Sequence, residues 1–231
     1  MRIGFYMSVY RDELWAYRMC TQITELYPHS PILICPDGPG HFEKFKFDNL
    51  YIVPFEQRRK HELGGMYTQR IVLAASVAAK QYDIDVMIKV DPDSYLYRRF
   101  TNFPDSPWFG SRFSTTKVAL GTYDCLQGGC WGIRAEPLVK LAESNILLSD
   151  VLLDKEITYP RYSARVFSKP GDKGRDREFI TNDDLVMGWG MTQLGYYPTD
   201  WDEVYLQQNG EEYQDSPPYR FAVTHPVRCV P

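Results

Sequence analysis

Long hydrophobic runs and concentrated positive charge are both missing from this chain of 231 residues. No apolar stretch approaches the ~18 residues of a membrane span, and the N-terminal run MRIGFYMSVYRDEL becomes charged too early for a secretory leader. The formal net charge is −4, and Lys and Arg are scattered rather than gathered into a basic stripe. Such a distribution argues against nucleic acid as a partner. We therefore expect a cytoplasmic chain without a transmembrane segment.

Cysteine is scarce and shows no metal-ribbon spacing. The five cysteines are an odd number and include no C-x-x-C pair, which predicts neither a disulfide framework nor a zinc ribbon. Cys125 and Cys130 are close enough in sequence to form a bridge if they were oxidised. Buried free thiols are the simpler expectation, and they agree with a reducing cytoplasm.

Hydrophobic patterning in the first part of the chain predicts alternating strands and helices. The runs RIGFYMSVY, PILICPDG, LYIVPF and YDIDVMIKV indicate short buried strands. Helical spacing from Trp15 to Leu26, and the Ala-rich run MYTQRIVLAASVAAKQY, predict helices after the first and third of these strands. This order is typical of a largely parallel sheet covered by helices. The length fits one domain over residues 1–231.

The second half of the chain is less regular. The segment LQGGCWGIRAEPLVKLAES predicts a glycine-rich strand and then a helix with Pro137 at its first position. Residues 154–180 are polar and poorly periodic, which predicts a long loop. The run TNDDLVMGWGMTQLGYYP predicts a helix that Thr181 or Asn182 caps and that Gly195 ends.

Two aspartates flank a proline where the strand YDIDVMIKV ends. Ligands of parallel α/β sheets bind at the carboxyl ends of strands, and Asp91 and Asp93 are expected at that edge. The proline bends the chain so that both carboxylates can reach one small volume, where like charges need a cation. Oxygen ligands favour Mg²⁺ or Mn²⁺. The alternative is a solvated turn without a ligand.

In this context the Asp-Pro-Asp run resembles the Asp-x-Asp motif of the glycosyltransferases of the GT-A fold, and the order of elements is similar over most of the chain. The resemblance implies a Rossmann-like α/β domain with a mixed, mainly parallel sheet flanked by helices. Residues 1–97 would bind a nucleotide sugar and residues 98–231 an acceptor. The implied activity is metal-dependent transfer of a sugar, from a UDP- or GDP-sugar in the first place, to a hydroxyl of a glycan or another acceptor.

The same resemblance implies a set of metal ligands. Asp93 would bind Mn²⁺ or Mg²⁺ directly, and Asp91 would contact the donor ribose or the metal through water. A third ligand in this family commonly comes from a histidine near the C-terminal end of the domain, and FAVTHPV offers His225 there. A surface imidazole is the alternative for His225.

An acidic pair near the start of a late helix, TNDDL, resembles the position of the general base in inverting members of the family. We assign Asp184 as the base and Asp183 as a capping or acceptor-orienting residue, and helix capping alone remains the alternative. Because a helix N-terminus stabilises a carboxylate as the anion, we expect its proton affinity to be modest. The acidic pair favours inversion over retention.

Other candidate positions follow from the same resemblance. Gly128 and Gly129 would let the backbone approach the donor sugar, and Trp131 would offer a stacking face to the acceptor. A glycine-rich core strand with a buried tryptophan is the alternative. The positions where the family binds the nucleotide or its diphosphate are Met7, Val9, Arg11, Asp37 and Arg70.

Three other functions stay open. The runs VDPDSY and GDKGRD imitate motifs of haloacid-dehalogenase-like phosphatases, although the second run is polar throughout rather than a strand end. A sugar-phosphate nucleotidyltransferase would share the fold, but MSVYRDELW lacks the glycine-rich loop expected after the first strand. A carbohydrate-binding protein without catalysis is the third alternative.

Overall fold

The computed structural model of the chain describes residues 1–9, 12–36, 41–54, 64–117, 121–153, 183–206 and 220–225. Several predicted features lie outside these residues: the donor-site candidates Arg11 and Asp37, the helix caps Thr181 and Asn182, the polar segment 154–180, and Cys229.

Ten strands in the described ranges form two sheets. In chain order they are β1 Ile3–Val9, β2 Ile32–Pro36, β3 Leu50–Ile52, β4 Val86–Val90, β5 Tyr95–Leu96, β6 Trp108–Lys117, β7 Gly121–Arg134, β8 Thr199–Asp200, β9 Val204–Leu206 and β10 Val223–His225. The larger sheet has the order β3-β2-β1-β4-β7-β6-β8, and the smaller one has the order β5-β10-β9.

The large sheet is mostly parallel. Strands β3, β2, β1 and β4 run parallel to one another, and β6 is parallel to β8, whereas β7 runs antiparallel to both β4 and β6. Because β6, β7 and β8 extend the sheet that the first half of the chain begins, the two predicted halves share one sheet. The fold is therefore mixed α/β with a Rossmann-like arrangement, as predicted at this coarser level.

The helices follow the predicted order. They are α1 Glu13–Leu26, α2 Gly64–Gln81, α3 Ala135–Ser144, α4 Asp150–Leu153 and α5 Asp183–Gln193, with a short 3₁₀ helix at Ile146–Leu148. The predicted start of α3 was wrong by two residues, since the helix begins at Ala135 and Pro137 is its third residue. Proline is tolerated there because the first N–H groups of a helix have no intrahelical acceptor. Gly195, with a φ of +80°, follows α5 as predicted.

Both faces of the large sheet are covered, which explains the uninterrupted apolar runs of its central strands. Successive side chains of a strand point to opposite faces, and Phe5 and Tyr6 accordingly belong to different hydrophobic clusters. The cluster on one face includes residues of α2, α3 and α5. The cluster on the other includes residues of α1 and of the small sheet. Strand β4 is buried along its whole length between them.

The described cysteines are free thiols. Cys20, Cys35, Cys125 and Cys130 are buried and unbridged, in agreement with the simpler expectation for Cys125 and Cys130. Among the described helices, none has the length and apolar character needed to cross a membrane.

Candidate metal and catalytic site

Three potential metal ligands converge at the carboxyl end of β4. One ligand atom from each of Asp91, Asp93 and His225 lies within 4.8 Å of the other two. The Nε2 atom of His225 is 3.9 Å from Asp91 Oδ2, and its Nδ1 atom is 3.3 Å from Asp93 Oδ1. The predicted ligand residues are therefore neighbours in space, although His225 belongs to the small sheet.

A tight turn brings the two aspartates to the same edge. Asp91 follows β4 directly, and its N–H donates to the carbonyl of Gly129 on β7 at 2.7 Å. The N–H of Ser94 donates to the carbonyl of Asp91 at 3.0 Å, which closes the turn around the intervening proline. Both carboxylates thus leave the strand within one turn, as the sequence predicts for a proline between them.

Two glycines of β7 make room for the side chains of the site. Gly129 has a φ of +100°, and a Cβ atom there would lie 2.5 Å from Cγ of His225. A Cβ atom on Gly128 would lie 2.9 Å from Asp184 Oδ2 and 3.5 Å from Asp91 Oδ2. The space next to these glycines is therefore taken by protein side chains, whereas the sequence-based prediction reserved it for a donor sugar.

Asp184 approaches Asp91 from the first turn of α5. Its side chain is buried, with 8% of the residue exposed, whereas Asp183 is half-buried. Burial raises the pKa of Asp184 to about 7, against the attraction of Lys89 and with a further increase from Asp183 and Asp91. The predicted modest proton affinity of Asp184 was wrong, because burial raises its pKa by more than Lys89 and the Gly128 backbone lower it.

Lys89, which was not predicted as a site residue from the sequence, lies between the carboxylates of Asp91 and Asp184. Its residue is 4% exposed, and its Nζ atom is 2.6 Å from Asp91 Oδ1 and 4.0 Å from Asp184 Oδ1. Burial lowers the pKa of Lys89, but Asp91 and Asp184 raise it further, and the net pKa is above the ordinary value. The signal was a single charged residue inside the apolar strand VMIKV.

The ammonium of Lys89 also lowers the pKa of Asp91, which follows β4. Burial raises the pKa of Asp91, whereas Lys89, His225 and the bond to the Gly129 backbone lower it, so that the pKa lies below the ordinary value. Asp91 is therefore an anion at neutral pH, whereas the pKa of Asp184 is about 7. Two carboxylates on either side of one ammonium thus have pKa values on opposite sides of the usual range, a pattern often found where one group binds and the other moves protons.

Ser94 and Arg18 support the turn and were also not predicted. Ser94 is fully buried, and its Oγ atom is 3.0 Å from the carbonyl of Gly129 and 3.1 Å from Nδ1 of His225. Arg18 of α1 donates from Nη2 to the carbonyl of Ser94 at 2.7 Å. No local sequence signal indicates these roles, since the partners are far apart in the chain.

Other predicted site residues lie in the core. Trp131 is 2% exposed and packs edge-on against Tyr6 and Trp108. It is a core tryptophan, as the alternative interpretation held, and the exposed ring that acceptor stacking requires is absent. The side chains of Met7 and Val9 are buried in the cluster on the α1 face. Arg70 is a half-buried residue of α2.

The donor set of the site fits a divalent cation. Two carboxylates and one imidazole supply oxygen and nitrogen ligands, a combination that suits Mn²⁺, and Mg²⁺ is compatible with the carboxylates. The full sequence matches no protein-family model, and no curated protein matches it at a significant level.

Proposed function

We propose that the protein is a divalent-metal-dependent glycosyltransferase of the GT-A fold that acts with inversion. The observation that carries the proposal is the convergence of a three-ligand cluster and a buried carboxylate at one strand end. A single Cβ atom added to Gly128 would contact both Asp91 and Asp184. Both carboxylates therefore lie beside the same residue of β7, so that a candidate metal ligand and a candidate base belong to one site.

The fold supports this proposal in three respects. The Asp-Pro-Asp turn follows a central parallel strand, where ligands of α/β sheets bind. The antiparallel strand β7 passes next to it and contributes the glycines. The histidine comes from a late strand, β10, in the chain order that the resemblance implies.

Inversion is supported by the acidic pair at the start of α5. An inverting displacement needs a base for the attacking hydroxyl in addition to the groups that stabilise the leaving group. Asp184 is a carboxylate outside the three-ligand cluster and would be available as that base.

Asp91, Asp93 and His225 would hold the cation. When bound, Mn²⁺ or Mg²⁺ supplies Lewis-acid stabilisation of the diphosphate leaving group. Asp184 accepts the proton of the acceptor hydroxyl, and its pKa of about 7 suits a base that works near neutral pH. Lys89 holds Oδ1 of Asp91 and keeps this carboxylate ionised. The donor is a nucleotide sugar, first a UDP- or GDP-sugar, and the acceptor a glycan or another hydroxyl compound.

A panel of nucleotide sugars with Mn²⁺ tests the proposal. Release of nucleoside diphosphate should depend on metal and on an acceptor, and Asp184→Asn should abolish transfer while nucleotide still binds with Mn²⁺. Asp183→Asn, which changes the neighbouring carboxylate on the same turn, is the matched control and should retain most of the activity. Absence of Mn²⁺-dependent nucleotide binding in the wild type would contradict the proposal.

The open alternatives give different results in the same assays. A phosphatase would hydrolyse p-nitrophenyl phosphate with Mg²⁺, and its GDKGRD motif lies outside the described residues. A nucleotidyltransferase would form a nucleotide sugar from a sugar phosphate and a nucleoside triphosphate. A carbohydrate-binding protein would bind sugar without nucleotide or metal.

A further inference from the structure

Ser94 lies where the two sheets meet, and its contacts leave its hydroxyl little freedom. The residue is fully buried. Its N–H donates to the carbonyl of Asp91, and its own carbonyl accepts from Arg18. The Oγ atom then has two close polar neighbours, the carbonyl of Gly129 at 3.0 Å and Nδ1 of His225 at 3.1 Å.

A serine hydroxyl carries one proton, whereas a backbone carbonyl can only accept. If the hydroxyl donated to Nδ1 of His225, Oγ and the Gly129 carbonyl would face each other with lone pairs at 3.0 Å. If it donates to Gly129, both contacts are favourable, because Nδ1–H of His225 then donates to Oγ. The hydrogen-bond network therefore requires the proton of the imidazole to be on Nδ1.

Asp93 agrees with this assignment. Its Oδ1 atom is 3.3 Å from Nδ1 of His225, and a carboxylate attracts an Nδ1–H group and repels an unprotonated Nδ1. Asp93 would then reach the cation through its other carboxylate oxygen.

We infer that Ser94 is a positioning residue that fixes His225 as the Nδ1–H tautomer and directs the free Nε2 lone pair to the divalent cation. The inference rests on the metal site of the proposed function. Outer partners of this kind orient histidine ligands and raise their basicity in metal sites generally.

The spacing on the other side of the ring agrees with this role. Nε2 of His225 is 3.9 Å from Asp91 Oδ2. Two ligand atoms at about 2.1 Å from one ion lie about 3.0 Å apart at right angles and about 4.2 Å apart when opposite. Nε2 and Oδ2 are thus within the range that a shared ion spans, and Nδ1 is hydrogen-bonded to Ser94.

The tautomer can be measured in the metal-free protein without any variant. Long-range ¹H–¹⁵N correlation spectra of ¹⁵N-histidine-labelled protein, at a pH where the imidazole is neutral, distinguish Nδ1–H from Nε2–H, and His225→Gln identifies the signal. The wild type should show Nδ1–H for His225. In Ser94→Ala the imidazole loses the hydroxyl acceptor of this proton, and the share of the Nδ1–H tautomer should fall below that of the wild type. A wild-type signal of the Nε2–H form would overturn the inference.

Calorimetric titration with Mn²⁺ tests the consequence for the metal. We expect Ser94→Ala to bind Mn²⁺ about tenfold more weakly or worse, as is usual for outer-partner variants. Ser106→Ala is the matched control, because Ser106 is a buried serine whose hydroxyl donates to a backbone carbonyl, that of Trp108. Its affinity should remain within about twofold of the wild type, since no ligand changes.

These measurements use neither donor nor acceptor, so they separate this inference from the proposed function. Equal Mn²⁺ affinity of wild type and Ser94→Ala would overturn the inference and leave the metal site in place. A wild type that binds no Mn²⁺ would overturn both. Ser94-dependent Mn²⁺ binding without any sugar transfer would support the inference and contradict the proposed transferase activity.

Discussion

Lys89 faces a larger negative charge than a single ammonium neutralises. It pairs closely with Asp91 and lies at the edge of pairing distance from Asp184, and its side chain is almost completely buried. Removal of one partner of a buried ion pair leaves the other without compensation, which costs more than the pair contributes when intact. At the scale of single residues, the stability of this site therefore depends on the lysine more than on any one carboxylate.

We expect Lys89→Met to lower the free energy of unfolding by about 3 kcal/mol, the lower end for a broken buried pair, because the Asp91 side chain is 26% exposed. Lys80→Met is the control: the Lys80–Glu143 pair has the same 2.6 Å separation but both side chains are more than half exposed. It should cost less than about 1 kcal/mol. Urea denaturation in EDTA measures both, and equal losses would contradict the prediction.

Asp184 makes stability depend on pH. Its pKa in the folded chain is about 7, against an ordinary value of 3.8. Between these values the folded state binds a proton that the unfolded state has released, so this residue makes the wild type less stable as pH rises from about 4 to about 7. Asp184→Asn carries no such charge and should be more stable than the wild type at pH 8, by at most about 4 kcal/mol, with the difference vanishing near pH 4.

Urea denaturation of the metal-free proteins at pH 4, 6 and 8 tests this dependence. Asp183→Asn is again the control, and its difference from the wild type should change much less with pH. A constant stability difference between Asp184→Asn and the wild type over this range would show that Asp184 does not cause the loss of stability at higher pH.

At the scale of elements, β7 is the strand that allows the site to assemble. Two adjacent glycines place its backbone against the imidazole of His225 on one side and against Asp91 and Asp184 on the other. A third glycine, Gly188 of α5, lets this helix pack against Cys125 of β7. The helix thereby brings Asp184 to the strand.

We expect Gly129→Ala to lower Mn²⁺ affinity strongly, because the new methyl group would displace the ring of His225. Gly121→Ala is a matched control on the same strand, since its φ of +81° carries similar backbone strain. Apart from the glycine and its chain neighbours, no atom of the described residues lies within 4 Å of the added Cβ. Both variants should lose about 1–3 kcal/mol of stability from strain, and Gly121→Ala should keep its Mn²⁺ affinity. Calorimetry would contradict the prediction if both bound Mn²⁺ equally well.

At the scale of the whole molecule, the three candidate metal ligands come from two different sheets. Asp91 and Asp93 follow a strand of the large sheet, and His225 ends a strand of the small one. A ligand that binds only the native arrangement stabilises it by mass action. Binding of a cation should therefore raise the melting temperature of the whole fold and not only reduce the motion of one loop.

At Mn²⁺ concentrations about 100 times Kd we expect about 2.7 kcal/mol of stabilisation, which corresponds to about 5–10 °C in Tm for a chain of this size. EDTA should reverse the shift, and His225→Ala should abolish most of it. His41→Ala, which removes an imidazole that is 88% exposed, should leave the shift unchanged. A thermal shift series with these three proteins is sufficient, and the same response in His225→Ala and the wild type would contradict the assignment of His225 as a ligand.

Part of the site could be predicted from local pattern alone. Asp91 and Asp93 are visible because a buried strand ends on two charged residues. Asp183 and Asp184 are visible by pattern only as helix-capping residues, and the base role of Asp184 follows from the family resemblance. His225 followed from a family resemblance and was placed next to both aspartates in the structure. Trp131 shows the limit, since an apolar aromatic residue on a glycine-rich strand has the same local pattern whether its ring is exposed or buried.

Local sequence patterns were sufficient to predict β1 to β4, β7, the four longer helices and the carboxylates at the end of β4, because residue periodicity and turn chemistry act over a few neighbours. Local patterns do not show the pairing of Lys89 with Asp91, the burial that raises the pKa of Asp184, or the contact of Ser94 with His225. These properties depend on desolvation and on hydrogen bonds between residues that are distant along the chain, and both arise only when the two faces of the sheet are packed.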